Sequence, residues 1–164
     1  MLALVTGASS GIGLEYAKQL ARDYHTDLLL VSNQEEEQKK VAADLAAQYG
    51  VKTTALYADL SKQDAAEQLL QYCKDNNLVV DILINNAGVF FFNPYCETSM
   101  KRIELMLNLH MITVAKLTRL FGEEMINRQL TAEEQAQKIC RKPRRKGYIL
   151  NMSSMSAWMA MPGI

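Results

Sequence analysis

This sequence predicts a doubly wound α/β fold on a parallel sheet, and three observations carry the prediction. Strand-like and helix-like segments alternate from the first residue onward. The stretches 28–31 and 79–84 are continuous runs of Leu, Val, Ile and one Asp rather than alternations, as strands covered on both faces require. The first apolar run, Leu2-Ala3-Leu4-Val5, enters a glycine-rich turn that opens a helix.

The elements follow in order. Residues 2–6 read as the first strand. The turn after it is Thr6-Gly7-Ala8-Ser9-Ser10-Gly11-Ile12-Gly13, in the pattern T-G-x-x-x-G-x-G. A strand that turns through three glycines into a helix N-terminus is a device for holding a pyrophosphate. Gly7 permits the tight turn, Gly11 lets the backbone approach an anion, and Gly13 allows the helix to pack close to the strand. A helix over 14–23 and a strand over 27–32 come next. A helix over 35–49 carries Ala42, Ala43, Leu45 and Ala46 on its inner face, followed by a strand over 51–57 and a helix over 62–76. Right-handed crossovers give the strand order 3-2-1-4-5 in three layers, with ligands at the carboxyl ends where the order reverses.

A fourth strand over 79–84 ends in Asn85-Asn86-Ala87-Gly88. A long helix from about 100 to 127 is read as continuing over 129–137 and ending in the basic run Cys140-Arg141-Lys142-Pro143-Arg144-Arg145-Lys146. Residues 128–146 therefore read as an insertion, longer than an ordinary connection. They enter the fifth strand at its N-terminal end, away from the ligand edge, so this basic run reads as a solvated loop. The fifth strand, Gly147-Tyr148-Ile149-Leu150, ends in Asn151-Met152-Ser153-Ser154.

Composition narrows the function classes. The 164 residues are enough for one domain with a core, and no second domain or internal repeat is visible. The balance of 18 basic against 18 acidic residues supplies no global field for nucleic acid or a membrane surface. No stretch is apolar for long enough to span a bilayer, and no secretory leader is seen. Cys73, Cys96 and Cys140 are scattered and read as reduced thiols of a cytoplasmic protein. With His25 and His110 the only histidines, no metal site is expected. The Val89-Phe90-Phe91-Phe92 run reads as buried loop anchors rather than a substrate surface.

The three segments Thr6 to Gly13 (TGASSGIG), Asn85 to Gly88 (NNAG) and Asn151 to Ser154 (NMSS) together resemble the compact branch of the short-chain dehydrogenase/reductase family, in order and separation. The resemblance spans nearly the whole chain and implies a Rossmann-like sheet lacking the family's last strands. It implies hydride exchange between a nicotinamide cofactor and a small-molecule carbonyl or alcohol. Cofactor contacts fall on Gly7, Ser9, Ser10, Gly11, Ile12 and Gly13 at the turn, Asn33 after the second strand, Asp59 and Leu60 at the adenine, and Asn86, Ala87 and Gly88 along the adenosine. Ser154 matches the serine that hydrogen-bonds the substrate oxygen, with Ser153 the other choice of the pair. Asn108 matches the helix asparagine of the proton relay. No acid follows the second strand, where Val31-Ser32-Asn33-Gln34 stands, so the cofactor reads as NADP, with NAD the other choice. Lys39 or Lys40 is placed to reach a 2′-phosphate. The segment Gly13 to Ala21 is similar to that of reductases of steroids and long acyl chains.

One departure from the family pattern stands out. The family's proton donor is a tyrosine with a lysine four residues later, because a phenol titrating at about pH 10 needs a nearby cation to act as a base. None of the seven tyrosines has a lysine at that spacing. The chain therefore reads as a fragment of a reductase, inactive by itself. The competing reading is a non-catalytic nucleotide-binding or scaffolding protein of the same fold. Association of copies into a homo-oligomer is left open by the sequence.

Overall fold

The computed structural model describes residues 1–92, 94–128 and 147–154. Five parallel strands form one sheet in the order β3-β2-β1-β4-β5. They are β1 (Leu2–Thr6), β2 (Asp27–Ser32), β3 (Thr53–Tyr57), β4 (Ile82–Asn85) and β5 (Tyr148–Asn151). The crossover helices are α1 (Gly11–Tyr24), α2 (Glu35–Tyr49) and α3 (Ala65–Asp75), and α4 (Met100–Leu107) and α5 (Thr113–Asn127) precede β5.

The apolar runs divide their side chains between two cores because successive strand residues face opposite sides of the sheet. Leu28 and Leu30 of β2 join Ala3, Val5 and Ile84 against Ala17 and Ala21 of α1 and Ala42 and Leu45 of α2. Leu29 and Val31 join Leu4 and Leu83 against Leu69 and Cys73 of α3 and Leu117, Phe121 and Met125 of α5. Three layers result, and every side chain from Leu28 to Val31 is fully excluded from solvent. β5 lies at the sheet's edge, beside β4 alone, and all four of its residues are exposed.

Several boundaries differ from the sequence reading, each for a local reason. α1 begins at Gly11 rather than at 14, because the αL backbone of Gly11 (φ 58°) already leads out of the turn. α3 starts at Ala65, since Asp59 and Lys62 are held in turns by Lys62 N donating to Asp59 O and Ala65 N to Lys62 O. β4 covers Ile82–Asn85, and Asp81 at its entry keeps backbone bonds to both neighbours, donating from N to Leu2 O (2.9 Å) and accepting from Tyr148 N (3.0 Å). Its carboxylate accepts from Leu2 N (3.1 Å) and pairs with Arg128 (3.3 Å). Arg128 also donates to Val80 O at 2.7 Å, tying the end of α5 to the entry of β4. Ala43, expected inside, is exposed, because it lies off the arc of Ala42 and Leu45 that meets the sheet.

The long helix is interrupted as well. Residues Asn108–Ile112 form a π-helical turn between α4 and α5, with Thr113 N donating to Asn108 O. Thr113 is buried, and its hydroxyl donates to Leu60 O at 2.8 Å, which anchors the turn to the loop after β3. Of the expected insertion 128–146, only Arg128 is described. The expected helical continuation over 129–137 and the basic run 141–146 lie outside the described residues.

Candidate functional site

The carboxyl ends of β1, β2, β3 and β4 open into one cleft of about 380 Å³. Gly7, Ser9 and Ser10 line it from the first turn, and Ser32, Asn33 and Gln34 from the end of β2. Ala58, Asp59, Leu60 and Ser61 contribute after β3, and Asn86, Ala87, Gly88 and Val89 after β4. Leu105 and Leu109 cover it from α4 and the π turn. The lining is polar at the first turn and at the end of β2, and apolar where Leu105 and Leu109 cover it.

The turn is built from backbone and one buried hydroxyl. Gly7 takes a positive φ (65°), and a Cβ there would come within 2.8 Å of the Ala87 Cα. The Thr6 hydroxyl is buried; it donates to Ile84 O (3.2 Å) and accepts from Asn86 N (2.9 Å) and Ala87 N (3.0 Å). The Asn86 side-chain amide returns the contact, donating to Thr6 O at 3.1 Å and Gly7 O at 3.2 Å. Gly13 sits directly against that amide and the Gly7 carbonyl, so its lack of a Cβ lets α1 seat on the turn. Gly11 has nothing within 4 Å of a would-be Cβ, so its αL backbone (φ 58°) is what the position requires here.

The start of α1 is left ready for an anion. Ser10 is its N-cap in an extended conformation, yet its side chain makes no cap hydrogen bond, and the first turn holds no acid. The leading N–H groups of a helix have no partners of their own and carry a partial positive charge. α2 differs: Glu35, Glu36 and Glu37 occupy its first turn. Lys39, a candidate for a phosphate contact, is drawn to Glu35 (2.8 Å) and Glu36 (3.3 Å) on its own helix.

Two polar groups at the rim are fixed by their neighbours. Ser32 Oγ donates to Ser9 Oγ (3.0 Å) and accepts from Gln34 N (3.1 Å), joining the first turn to the end of β2. Asp59 accepts from Ser61 Oγ at 2.6 Å and Ser61 N at 3.1 Å. These bonds, the hydroxyl's first, hold its carboxyl below the usual carboxylate range.

Gly7, Ser9, Ser10, Asn33, Asp59, Leu60, Asn86, Ala87 and Gly88 are thus brought together at one cleft. Gly11, Ile12 and Gly13 are not in its lining: Gly11 and Gly13 shape the turn, and Ile12 is exposed. Asn108 and Ser154 are not in the lining either. Asn108 is half-buried at the head of the π turn, one residue before Leu109. Ser154 is exposed beyond β5, where Met152 N donates to Asn85 O at 2.9 Å. Asn85 is buried, and its side-chain nitrogen donates to Asn151 Oδ1 (2.8 Å) and Thr118 Oγ1 (3.3 Å), pinning the strand that leads to Ser154.

Sequence reasoning passed over Leu105, Leu109, Ser61 and His110. Leu105 and Leu109 carry the i, i+4 spacing of one helix face, a legible signal. Ser61 stands two residues after Asp59, the spacing of an Asx turn. His110 gave no signal, because its role depends on a loop distant in sequence. Its Nε2 lies 3.1 Å from Val89 N and 2.9 Å from Val89 O, and its Cε1 would be 2.7 Å from a Cβ at Gly88. The aromatic run is a correction: Phe90 is 47% exposed and Phe92 80%, so these rings do not anchor the loop by burial. The loop turns them outward because Gly88 and Val89 are held by His110 and Phe91 by the Arg102 guanidinium, 4.8 Å from its ring centroid.

Comparison with known proteins agrees with this architecture. The family model for short chain dehydrogenase matches residues 1–164. A very-long-chain 3-oxoacyl-CoA reductase of Anas platyrhynchos is 30% identical over 98% of this chain and 47% of its own length. The A form of the reductase of that name in Danio rerio is also 30% identical, over 46% of its length. Among solved structures, a short-chain dehydrogenase from Sphingobium yanoikuyae in complex with NADPH superposes with a TM-score of 0.71 at 30% identity. That match covers 78% of this chain and 49% of the other. A metagenomic short-chain oxidoreductase in complex with NADP gives a TM-score of 0.81 at 25% identity, covering 98% and 65%. The chain spans about half the length of the curated relatives it matches.

Proposed function

This chain belongs to the short-chain dehydrogenase family, and from that premise we propose that it is the cofactor-binding part of an NADPH-dependent carbonyl reductase. The observation that carries the reading is the cleft at the carboxyl ends of β1 to β4, with an uncapped, acid-free helix N-terminus where its lining is polar. When bound, the nicotinamide cofactor supplies the hydride. Gly7, Ser9 and Ser10, with the leading N–H groups of α1, hold its pyrophosphate. Asp59 and Leu60 face the adenine, and Asn86, Ala87 and Gly88 the adenosine ribose. Ser32, Asn33 and Gln34 present hydroxyl and amide groups, and no acid, to the ribose 2′ position, which supports NADPH over NADH. Solved relatives carrying NADPH and NADP support the same preference.

Ser154 donates to the carbonyl oxygen of the substrate, and Asn108 serves the proton relay. The chain itself offers no tyrosine with a lysine four residues on, so residues 1–164 bind cofactor without turning over a ketone. Equilibrium titration of this chain with NADPH and NADH, followed by cofactor fluorescence, tests the first clause. NADPH should bind at least tenfold more tightly; absence of binding by either nucleotide refutes the reading. Ketone-dependent NADPH oxidation that persists through rigorous purification refutes the second clause.

A further inference from the structure

We infer that His110 is a positioning residue for the adenine of the cofactor, which rests on the cofactor-binding reading above and adds the side chain that holds that part of the cleft in shape. The apolar lining comes from three segments distant in sequence: Ala58 and Leu60 after β3, Ala87 and Val89 after β4, and Leu105 and Leu109 from α4 and the π turn. Apolar burial is non-directional, so packing by itself does not fix how far apart such segments stand. Two hydrogen bonds supply the direction. On the side of β3, the Thr113 hydroxyl at the end of the π turn donates to Leu60 O at 2.8 Å. On the side of β4, His110 Nε2 lies 3.1 Å from Val89 N and 2.9 Å from Val89 O.

The imidazole is the hydrogen-bond partner that Val89 has among the described residues. Either neutral tautomer closes the contact, one donating to Val89 O and the other accepting from Val89 N. The ring also lies against Gly88, where a Cβ would come within 2.7 Å of its Cε1. Gly88 and Val89 both line the cleft, and so does Leu109, the residue before His110. One exposed side chain therefore joins a wall of the cleft to its cover. Without the imidazole nitrogens the wall keeps its apolar contacts but loses its fixed spacing from the cover. The fraction of molecules ready to take a base then falls, and apparent affinity falls with it. The turn of Gly7, Ser9 and Ser10 is built from Thr6 and Asn86 and does not depend on His110.

The test titrates the 164-residue chain with NADPH and with adenosine 2′,5′-bisphosphate, which carries the adenine but no nicotinamide. Calorimetry well below the melting temperature keeps unfolded chain out of the comparison. His110→Phe keeps a ring of similar bulk and removes its nitrogens. Both nucleotides should bind it about fivefold more weakly, the equivalent of one net hydrogen bond. The factor should be the same for the two, because the loss lies with the adenine that they share. His110→Gln places an amide where Nε2 stood, able to donate or accept, and should return both affinities to within about twofold of the parent. A role in general packing would not be rescued by an amide. Unchanged affinity in His110→Phe overturns the inference, as does an NADPH loss that the bisphosphate does not share, or a loss in His110→Gln as large as in His110→Phe. If the parent binds the bisphosphate but not NADPH, the reductase reading falls separately and the bisphosphate series decides on His110. If the parent binds neither, both fall.

Discussion

Replacing Gly13 by Ala should destabilise this protein although alanine is the better helix former. The added Cβ would meet the Gly7 carbonyl oxygen and the Asn86 amide nitrogen well inside contact distance, with the Gly7 carbonyl carbon at 2.9 Å. Neither neighbour can yield cheaply. Gly7 is backbone held in a positive-φ turn, with Gly7 N donating to Val31 O at 2.8 Å, and the Asn86 amide already donates to Thr6 O and Gly7 O. Overpacking costs about 1–3 kcal/mol, and disturbing the two amide hydrogen bonds adds about 1–2 kcal/mol. Removing a helical glycine returns about 1 kcal/mol. The net loss is about 1–4 kcal/mol, or roughly 3–15 °C in Tm for a chain of this size. Urea unfolding followed by circular dichroism measures it, with Gly11→Ala as the contrast. No atom crowds Gly11, so that variant bears only the cost of a left-handed backbone, about 1–2 kcal/mol. If Gly13→Ala is as stable as the parent, or is less affected than Gly11→Ala, the account of how α1 seats on the turn is wrong.

Thr6→Val keeps the volume but strands the N–H groups of Asn86 and Ala87, which the Thr6 hydroxyl now receives. It should cost about 2–4 kcal/mol in urea melts and weaken NADPH binding; a change within 0.5 kcal/mol, on the order of an ordinary surface substitution, would contradict the role given to the hydroxyl. The Asp59 carboxyl is lowered in the folded state, so its stabilisation is present above the ordinary carboxylate range and is lost as pH falls through the folded value. Ser61→Ala removes the largest cause, so the stability difference from the parent should be present at neutral pH and shrink on acidification below about pH 4; a difference that grows there would reverse the assignment. Burial pushes the Cys73 thiol up to about 11, leaving roughly a thousandth as thiolate at pH 8. In a Cys140→Ser background, the exposed Cys96 should react with a thiol reagent at once and Cys73 only at the rate of unfolding; prompt labelling of both would show that Cys73 is accessible.

The sequence by itself determined the sheet and the place of the cleft. The unbroken run Leu28-Leu29-Leu30-Val31 is what a strand buried on both faces requires, and the T-G-x-x-x-G-x-G turn announces a backbone that must bend and be closely approached. Those are local demands, written where they act. It did not determine how the turn is held, because the Thr6 hydroxyl and the Asn86 amide meet across eighty positions of chain. The π turn at Asn108 is equally silent: it exists because Thr113 is drawn to Leu60 O, fifty-three residues earlier. The aromatic run was misread for the same reason. Three phenylalanines in a row suggest burial by composition alone, whereas their exposure is set by His110 and Arg102, which close on the loop from the neighbouring helical segments. Hydrophobic period and glycine placement are properties of a few successive residues. Which polar atoms meet, and which apolar rings are left facing solvent, depends on distances that exist only after the chain has folded.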